Sequence, residues 1–194
     1  YMLDLFAGLG GASEAFIRDP NWDVIRIDNN PLLKDVECMI IDDVLETNVD
    51  VPHRKFTYIH ASPPCTEFSQ AYGAPKSVAK RENREFEPDL SLVKRAVELI
   101  AYHKPKFWTI ENVVGSISHL RPILGDPRFI FGPFVIWGNI PYPHIPHGFS
   151  HSKFDDDTWS TDPLRAQRRA YMPIEISTAI LSALTEQTFL TDWI

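Results

Sequence analysis

The chain opens on an apolar run, Met2-Leu3-Asp4-Leu5-Phe6, that breaks into the glycine turn Gly8-Leu9-Gly10-Gly11 and then into the helical pattern Ala12 to Ile17. A strand followed at once by a helix does not hairpin back on its neighbour; the helix is a crossover, and the next strand returns parallel to the first. The unit recurs. Val24-Ile25-Arg26-Ile27-Asp28 reads as a second strand ending on an acid, and Cys38-Met39-Ile40-Ile41 as a third closed by Asp42 and Asp43. Phe56-Thr57-Tyr58-Ile59-His60-Ala61 makes a fourth, and Lys106-Phe107-Trp108-Thr109-Ile110 a fifth. Between the last two, Leu90 to His103 has the i, i+3, i+4 apolar spacing of a helix. Such alternation predicts an α/β fold, a mostly parallel sheet with helices on both faces.

The remainder is less regular. Thr66 to Pro88 is polar, carries Gly73 and Pro75, shows no period and reads as a long mobile loop. Gly132 to Trp137 supplies late strands, residues 139–163 read as irregular connection, and a last helix runs from about Pro173 to Gln187 with proline in its first turn. Cys38 and the aromatic cluster from Phe129 to Trp137 read as core. The 194 residues suffice for one domain, 1–194, and are few for two.

Composition removes several classes. No apolar run approaches the roughly 18 residues of a membrane span, and two cysteines build no disulfide framework. An intracellular setting, cytoplasmic or nucleoid-associated, is expected. The formal charge of −7, from 19 Lys and Arg against 26 Asp and Glu, is not the footprint of a uniformly basic nucleic-acid binder. Any such contact rests on local clusters: Lys76, Lys80, Arg81 and Arg84, or Arg165, Arg168 and Arg169. Each reads equally as a solvated surface run.

Open α/β sheets bind ligands beyond the carboxyl ends of their strands. There the turn Gly8, Gly10, Gly11 lets backbone approach a nucleotide-like ligand, and Asp28, twenty residues after Gly8, is placed for ribose hydroxyls. A nicotinamide dinucleotide shares these features. However, the third glycine of the dinucleotide fingerprint is replaced by Ser13, and Asp43 adds a second strand-end acid. A ligand with an amine and a ribose but no pyrophosphate suits this set better. Beyond the fourth strand, Ser62-Pro63-Pro64-Cys65 presents a thiol on a backbone that two prolines stiffen. Glu111 closes the fifth strand, at the same edge if the strands are neighbours. A nucleophile beside a carboxyl group able to hydrogen-bond a ring nitrogen and an exocyclic amine is the equipment for attacking a pyrimidine.

Four blocks, in order, resemble the cytosine-C5 DNA methyltransferase family, whose cofactor is S-adenosylmethionine. They are Asp4-Leu5-Phe6-Ala7-Gly8-Leu9-Gly10-Gly11, Pro64-Cys65-Thr66-Glu67-Phe68-Ser69, Glu111-Asn112-Val113, and Gln167-Arg168-Arg169 followed by Met172 to Ile180. The resemblance implies a Rossmann-like S-adenosylmethionine-dependent methyltransferase fold. It further implies cofactor contacts from Phe6, Ala7, Gly8, Gly10, Gly11, Asp28, Asn29, Asp43, Val44, Pro64 and Leu92. Cys65 would add to C6 of a flipped-out cytosine, Glu111, its pKa raised, would hold N3 and the amine, and Arg169 would contact the base. Ser69, Lys76, Lys80, Arg81, Arg84 and Arg165 would contact DNA, the 66–88 loop closing over the site. The family's large recognition region is missing, since Arg169 and Pro173 are almost adjacent; residues 139–163 would serve as a minimal recognition loop, or a partner protein would supply specificity. Alternatives of the same architecture are an RNA (tRNA) cytosine methyltransferase and a catalytically weak DNA-binding subunit that needs a partner. His144, His147 and His151 have metal-like spacing but sit in a Pro/Gly-rich stretch with no cysteine nearby, and no metal is expected.

Overall fold

The computed structural model describes residues 1–47, 49, 55–68, 73–146 and 161–191. The expected strands form as β1 (Met2–Leu5), β2 (Val24–Asp28), β3 (Met39–Ile41), β4 (Tyr58–Ala61) and β5 (Phe107–Val113), joined later by β6 (Phe129–Phe131) and β7 (Phe134–Gly138). Among the described residues they make one sheet in the order β3-β2-β1-β4-β5-β7-β6. Every pair from β3 to β5 is parallel, while β7 runs antiparallel to both β5 and β6. The order reverses between β1 and β4. Such a switch point opens a crevice at the carboxyl ends of these strands, because the connections depart in opposite directions.

Helices cover both faces, as the alternation predicts. The helices are α1 (Glu14–Arg18), α2 (Pro75–Arg81), α3 (Ser91–His103), α4 (Ile117–Leu124), α5 (Arg165–Arg169) and α6 (Ile174–Thr191). Phe16 of α1 and Ile176, Ile180 and Leu184 of α6 pack with Met2, Val24, Tyr58 and Phe107. Ala96 and Leu99 of α3 pack with Leu3, Leu5, Ile27, Ile59 and Ile110 on the other face. The pleat sends successive side chains to opposite faces, so the two sets interleave along each strand. Leu120 of α4 joins Val135 and Trp137 on β7. Each fully buried side chain of this size contributes about 1.5–3 kcal/mol. Ser177 joins α6 to the first turn: its hydroxyl donates to the Ala12 carbonyl (2.7 Å) and accepts the Ala15 amide (3.1 Å).

One feature cuts across the apolar pattern. Arg26, Asp4, His60 and Thr109 stand side by side in register on β2, β1, β4 and β5, all buried, on the face covered by α1 and α6. Four polar residues in one row of a sheet core are costly unless each finds hydrogen-bond partners.

Several local expectations are corrected. The stretch after Thr66 holds α2, which Pro75 initiates; only Ala79 of it is buried, so it carries no apolar stripe to read. Antiparallel pairing with β7 carries β5 to Val113, past the end of β4, so Glu111 lies within the strand rather than closing it. β6 begins at Phe129, ahead of the expected late strands, and the last helix starts at Ile174 and continues to Thr191. Cys38 is exposed with φ +59°, in the turn before an edge strand whose Ile40 and Ile41 are also exposed. Phe129, Phe134 and Trp137 are core, as expected. Among the described residues no helix is long and apolar enough to cross a membrane. Ser69, His147, His151 and most of the 139–163 segment lie outside the described residues.

Candidate active site

A cavity of about 320 Å³ sits at the switch point. Its floor is the glycine turn. Phe6 and Gly8 have φ of +58° and +54°, and a left-handed phenylalanine is a strained residue that the surrounding contacts must hold. A Cβ at Gly8 would meet no atom within 4 Å, so the turn is open toward the cavity. A Cβ at Gly10 would instead collide with the Arg26 guanidinium. Gly10 accordingly does not line the cavity; its missing side chain makes room for the buried guanidinium beneath, and its carbonyl accepts from Arg26 Nη2 at 2.9 Å.

Arg26 also donates through Nε to Ser13 Oγ (2.8 Å) and through Nη1 to the Glu37 carbonyl (3.0 Å). The Ser13 hydroxyl has two acceptors in reach, Asp4 Oδ2 at 2.5 Å and the Gly10 carbonyl at 3.3 Å, and the shorter, charge-assisted contact takes the proton. Asp4 lines the cavity, and its buried Oδ1 has no partner among the described residues. Burial pushes the Asp4 carboxyl up to about 6, with Ser13 and Arg26 opposing and Asp28 adding to the rise.

Asp28, at the end of β2, accepts the Gly8 amide on Oδ2 (2.9 Å) and the Asn30 amide on Oδ1 (3.0 Å). It therefore braces the turn as well as facing the cavity. Asp43 accepts the Leu45 amide (2.9 Å), and Arg95 of α3 holds this loop by donating to the carbonyls of Val44 (3.2 Å) and Thr47 (3.0 Å). Phe6, Ala7, Gly8, Gly11, Asp28, Asn29, Asp43, Val44, Pro64 and Leu92 all line the cavity, so of the expected cofactor contacts only Gly10 stands apart.

Cys65 lies on the segment that leaves β4, and it lines the same cavity. Asn112 of β5, 1% exposed, donates from Nδ2 to the Pro63 carbonyl at 3.0 Å and clamps that segment to its neighbour strand. The register Ala61↔Ile110 makes Glu111 the first residue of β5 beyond the end of β4, and it too lines the cavity. Thiol and carboxyl group thus converge because β4 and β5 are adjacent. The sequence placed Asn112 in a signature block without giving it a role, and nothing local marked Arg95.

The basic clusters stand outside. Lys76, Lys80, Arg81 and Arg84 are exposed on and just after α2, Lys76 Nζ lying 3.5 Å from His119 Nε2 and Arg84 pairing with Glu82 at 2.6 Å. Arg165 and Arg169 do not line the cavity, and Arg169 is exposed. Their helix instead turns Ala166, Gln167 and Ala170 toward it, with the Gln167 Oε1 buried and without a partner among the described residues. The 3.6-residue period explains this: residues 166, 167 and 170 share a face that 165 and 169 do not.

Residues 1–122, which include the glycine turn, Cys65 and Glu111, match the family described as C-5 cytosine-specific DNA methylase. The chain is 33% identical over 119 residues to the probable DNA (cytosine-5)-methyltransferase of Frog virus 3 (isolate Goorha), covering 57% of this chain and 52% of that protein. It is 29% identical over 132 residues to the type II methyltransferase M1.HphI of Haemophilus parahaemolyticus, covering 60% of this chain and 33% of that one. Among solved structures, an S-adenosylmethionine-dependent methyltransferase from Clostridium acetobutylicum overlays with a TM-score of 0.38 at 18% identity, over 70% of this chain and 52% of that one. The chain spans about half, or less, of the curated relatives it matches.

Proposed function

The chain belongs to the C-5 cytosine-specific DNA methylase family, and from that premise we propose that it transfers a methyl group from S-adenosylmethionine to C5 of cytosine in DNA. One observation carries the reading: Cys65, Glu111, the open glycine turn and the acids Asp28 and Asp43 all line one cavity. The residues fit the cofactor. Gly8 leaves room for close approach, Asp28 and Asp43 offer acceptors for ribose hydroxyls, and Asp4 Oδ1 is a buried acceptor in need of a donor such as an ammonium group. When bound, S-adenosylmethionine supplies an electrophilic sulfonium methyl group.

Cytosine C5 is too weak a nucleophile to take that methyl unaided. The Cys65 thiolate adds to C6, forming the S–C6 bond and moving the C5–C6 π electrons onto C5. Glu111 hydrogen-bonds N3 and the exocyclic amine and delivers a proton at N3, which removes charge from the ring as the thiolate adds. After C5 is methylated, solvent water takes the C5 proton, its bonding pair re-forms the C5–C6 double bond and expels Cys65 as thiolate, and N3 returns its proton to Glu111. A base in a duplex does not reach so recessed a pair, so the cytosine is extruded from its stack, and exposed Lys76, Lys80 and Arg81 serve the flanking phosphates.

Incubation of the protein with methyl-labelled S-adenosylmethionine and a mixed-sequence DNA pool tests the reading, with Cys65→Ala alongside. Label in DNA from the intact protein and none from the variant is expected, and 5-fluorocytosine DNA should trap a covalent adduct on Cys65. Equal transfer by the variant, or label in tRNA and none in duplex DNA, would overturn it.

A further inference from the structure

The buried row across the sheet contains a chain of hydrogen bonds that ends at the cavity. Tyr58, Thr109 and His60 are each at most 1% exposed. Tyr58 Oη lies 2.6 Å from Thr109 Oγ1 and 3.4 Å from His60 Nδ1; Thr109 Oγ1 lies 2.7 Å from His60 Nδ1; His60 Nε2 lies 2.8 Å from Ser62 Oγ. Ser62 lines the cavity.

Satisfying every buried proton gives this chain one direction. Tyr58 has a good acceptor only in Thr109, since the contact to His60 is long for a hydrogen bond from a hydroxyl. The Thr109 proton then goes to His60 Nδ1, which becomes an acceptor. A neutral imidazole accepting at Nδ1 carries its proton on Nε2, and that N–H donates to Ser62 Oγ. The opposite direction has Nδ1–H donate to Thr109 and Thr109 donate to Tyr58, leaving the Tyr58 proton buried with no acceptor among the described residues. Burial also pulls the His60 ring down to about 3, which keeps it neutral. In the favoured direction Ser62 Oγ is already an acceptor, and its own proton is left to point into the cavity.

What receives that proton follows from position. The Ser62 amide donates to the Leu5 carbonyl at 3.1 Å, which holds Ser62 beside the start of the glycine turn. Asp4, in register with His60 and on the same sheet face, also lines this cavity, and its buried Oδ1 has no partner among the described residues. An acceptor and a donor offered together complement an ammonium and a carboxylate on one carbon. We propose that His60 is a positioning residue which, through Tyr58-Thr109-His60-Ser62, holds the Ser62 hydroxyl as a hydrogen-bond donor to the carboxylate at the amino-acid end of the bound cofactor. This rests on the S-adenosylmethionine reading above.

Two measurements on the full chain test it. Nitrogen NMR of histidine-labelled protein, with His60 assigned by its loss in His60→Gln, should show the Nε2–H tautomer; an Nδ1–H tautomer would overturn the proposal without any ligand present. Calorimetry should then give Ser62→Ala an affinity for S-adenosylmethionine about tenfold weaker than the unaltered chain, and an unchanged affinity for decarboxylated S-adenosylmethionine. His60→Leu should match Ser62→Ala, the double variant should be no weaker than either, and His60→Gln, whose amide can donate from the place of Nε2, should recover most of the affinity. Equal weakening toward both ligands, or none toward either, would overturn the carboxylate assignment while leaving the methyltransferase reading standing. Failure of the unaltered chain to bind S-adenosylmethionine at all would instead overturn both.

Discussion

Replacing Asp4 by asparagine and His60 by glutamine should tilt the pH dependence of stability in opposite directions. The two residues are register neighbours on β1 and β4, both fully buried, and burial displaces each toward its uncharged form. For Asp4 the carboxyl rises from 3.8 to about 6. Within that window the folded chain keeps a proton that the unfolded chain has released, so stability falls as pH rises, by about 3 kcal/mol across it at about 1.4 kcal/mol per pH unit. For His60 the ring falls from 6.5 to about 3. There the unfolded chain takes up a proton that the folded chain refuses, so stability is lost as pH falls below 6.5, about 3 kcal/mol by roughly pH 4. In the unaltered protein the two slopes nearly cancel between roughly pH 4 and 6. Asp4→Asn should remove one and leave stability dropping on acidification; His60→Gln should remove the other and leave it rising. Urea unfolding at four pH values reads this directly, and the difference from the unaltered chain cancels the surface carboxylates common to all three. Curves for both variants that run parallel to the unaltered chain over this range would refute the reasoning, because they would mean that neither group titrates differently in the folded state.

Three further outcomes are expected. Gly11→Ala places a Cβ 2.5 Å from the Met172 carbonyl and 2.8 Å from its amide, contacts that only backbone movement relieves, and should destabilise by about 1–3 kcal/mol in thermal unfolding while loosening the entry to α6. Asn112→Ala removes the clamp on the Pro63 carbonyl; it should cost about 1–3 kcal/mol and change the rate at which Cys65 is alkylated, an unchanged rate showing that the clamp does not position the thiol. Lys80→Ala should lower the slope of log affinity for duplex DNA against log salt by about 0.9, whereas an unaltered slope would remove Lys80 from the phosphate contacts.

Those experiments probe features of unequal visibility in the chain. The alternation of short apolar runs with a helical period, the glycine turn and the proline-stiffened Cys65 are local properties: periodicity, left-handed φ and restricted backbone are written within a few neighbouring residues. They sufficed for the parallel part of the sheet and for the edge at which ligands bind, while the residue-by-residue cofactor set came from the family resemblance. Tertiary structure alone decided what those residues do to one another. Pairing of β4 with β5, nearly fifty residues apart in the chain, puts Glu111 beside the Cys65 segment and lets Asn112 clamp it. Pairing of β2, β1, β4 and β5 assembles Arg26, Asp4, His60 and Thr109 into one buried row, although each stands in its own strand pattern as an unexplained polar residue. Tertiary placement likewise assigns Gly10 to the guanidinium beneath it, sets the 166, 167 and 170 face of α5 rather than the 165 and 169 face against the cavity, and leaves Cys38 exposed at the sheet edge. A residue's type limits which hydrogen bonds and contacts it can make; its partners come from strands brought together across the sheet, and no local pattern carries that information.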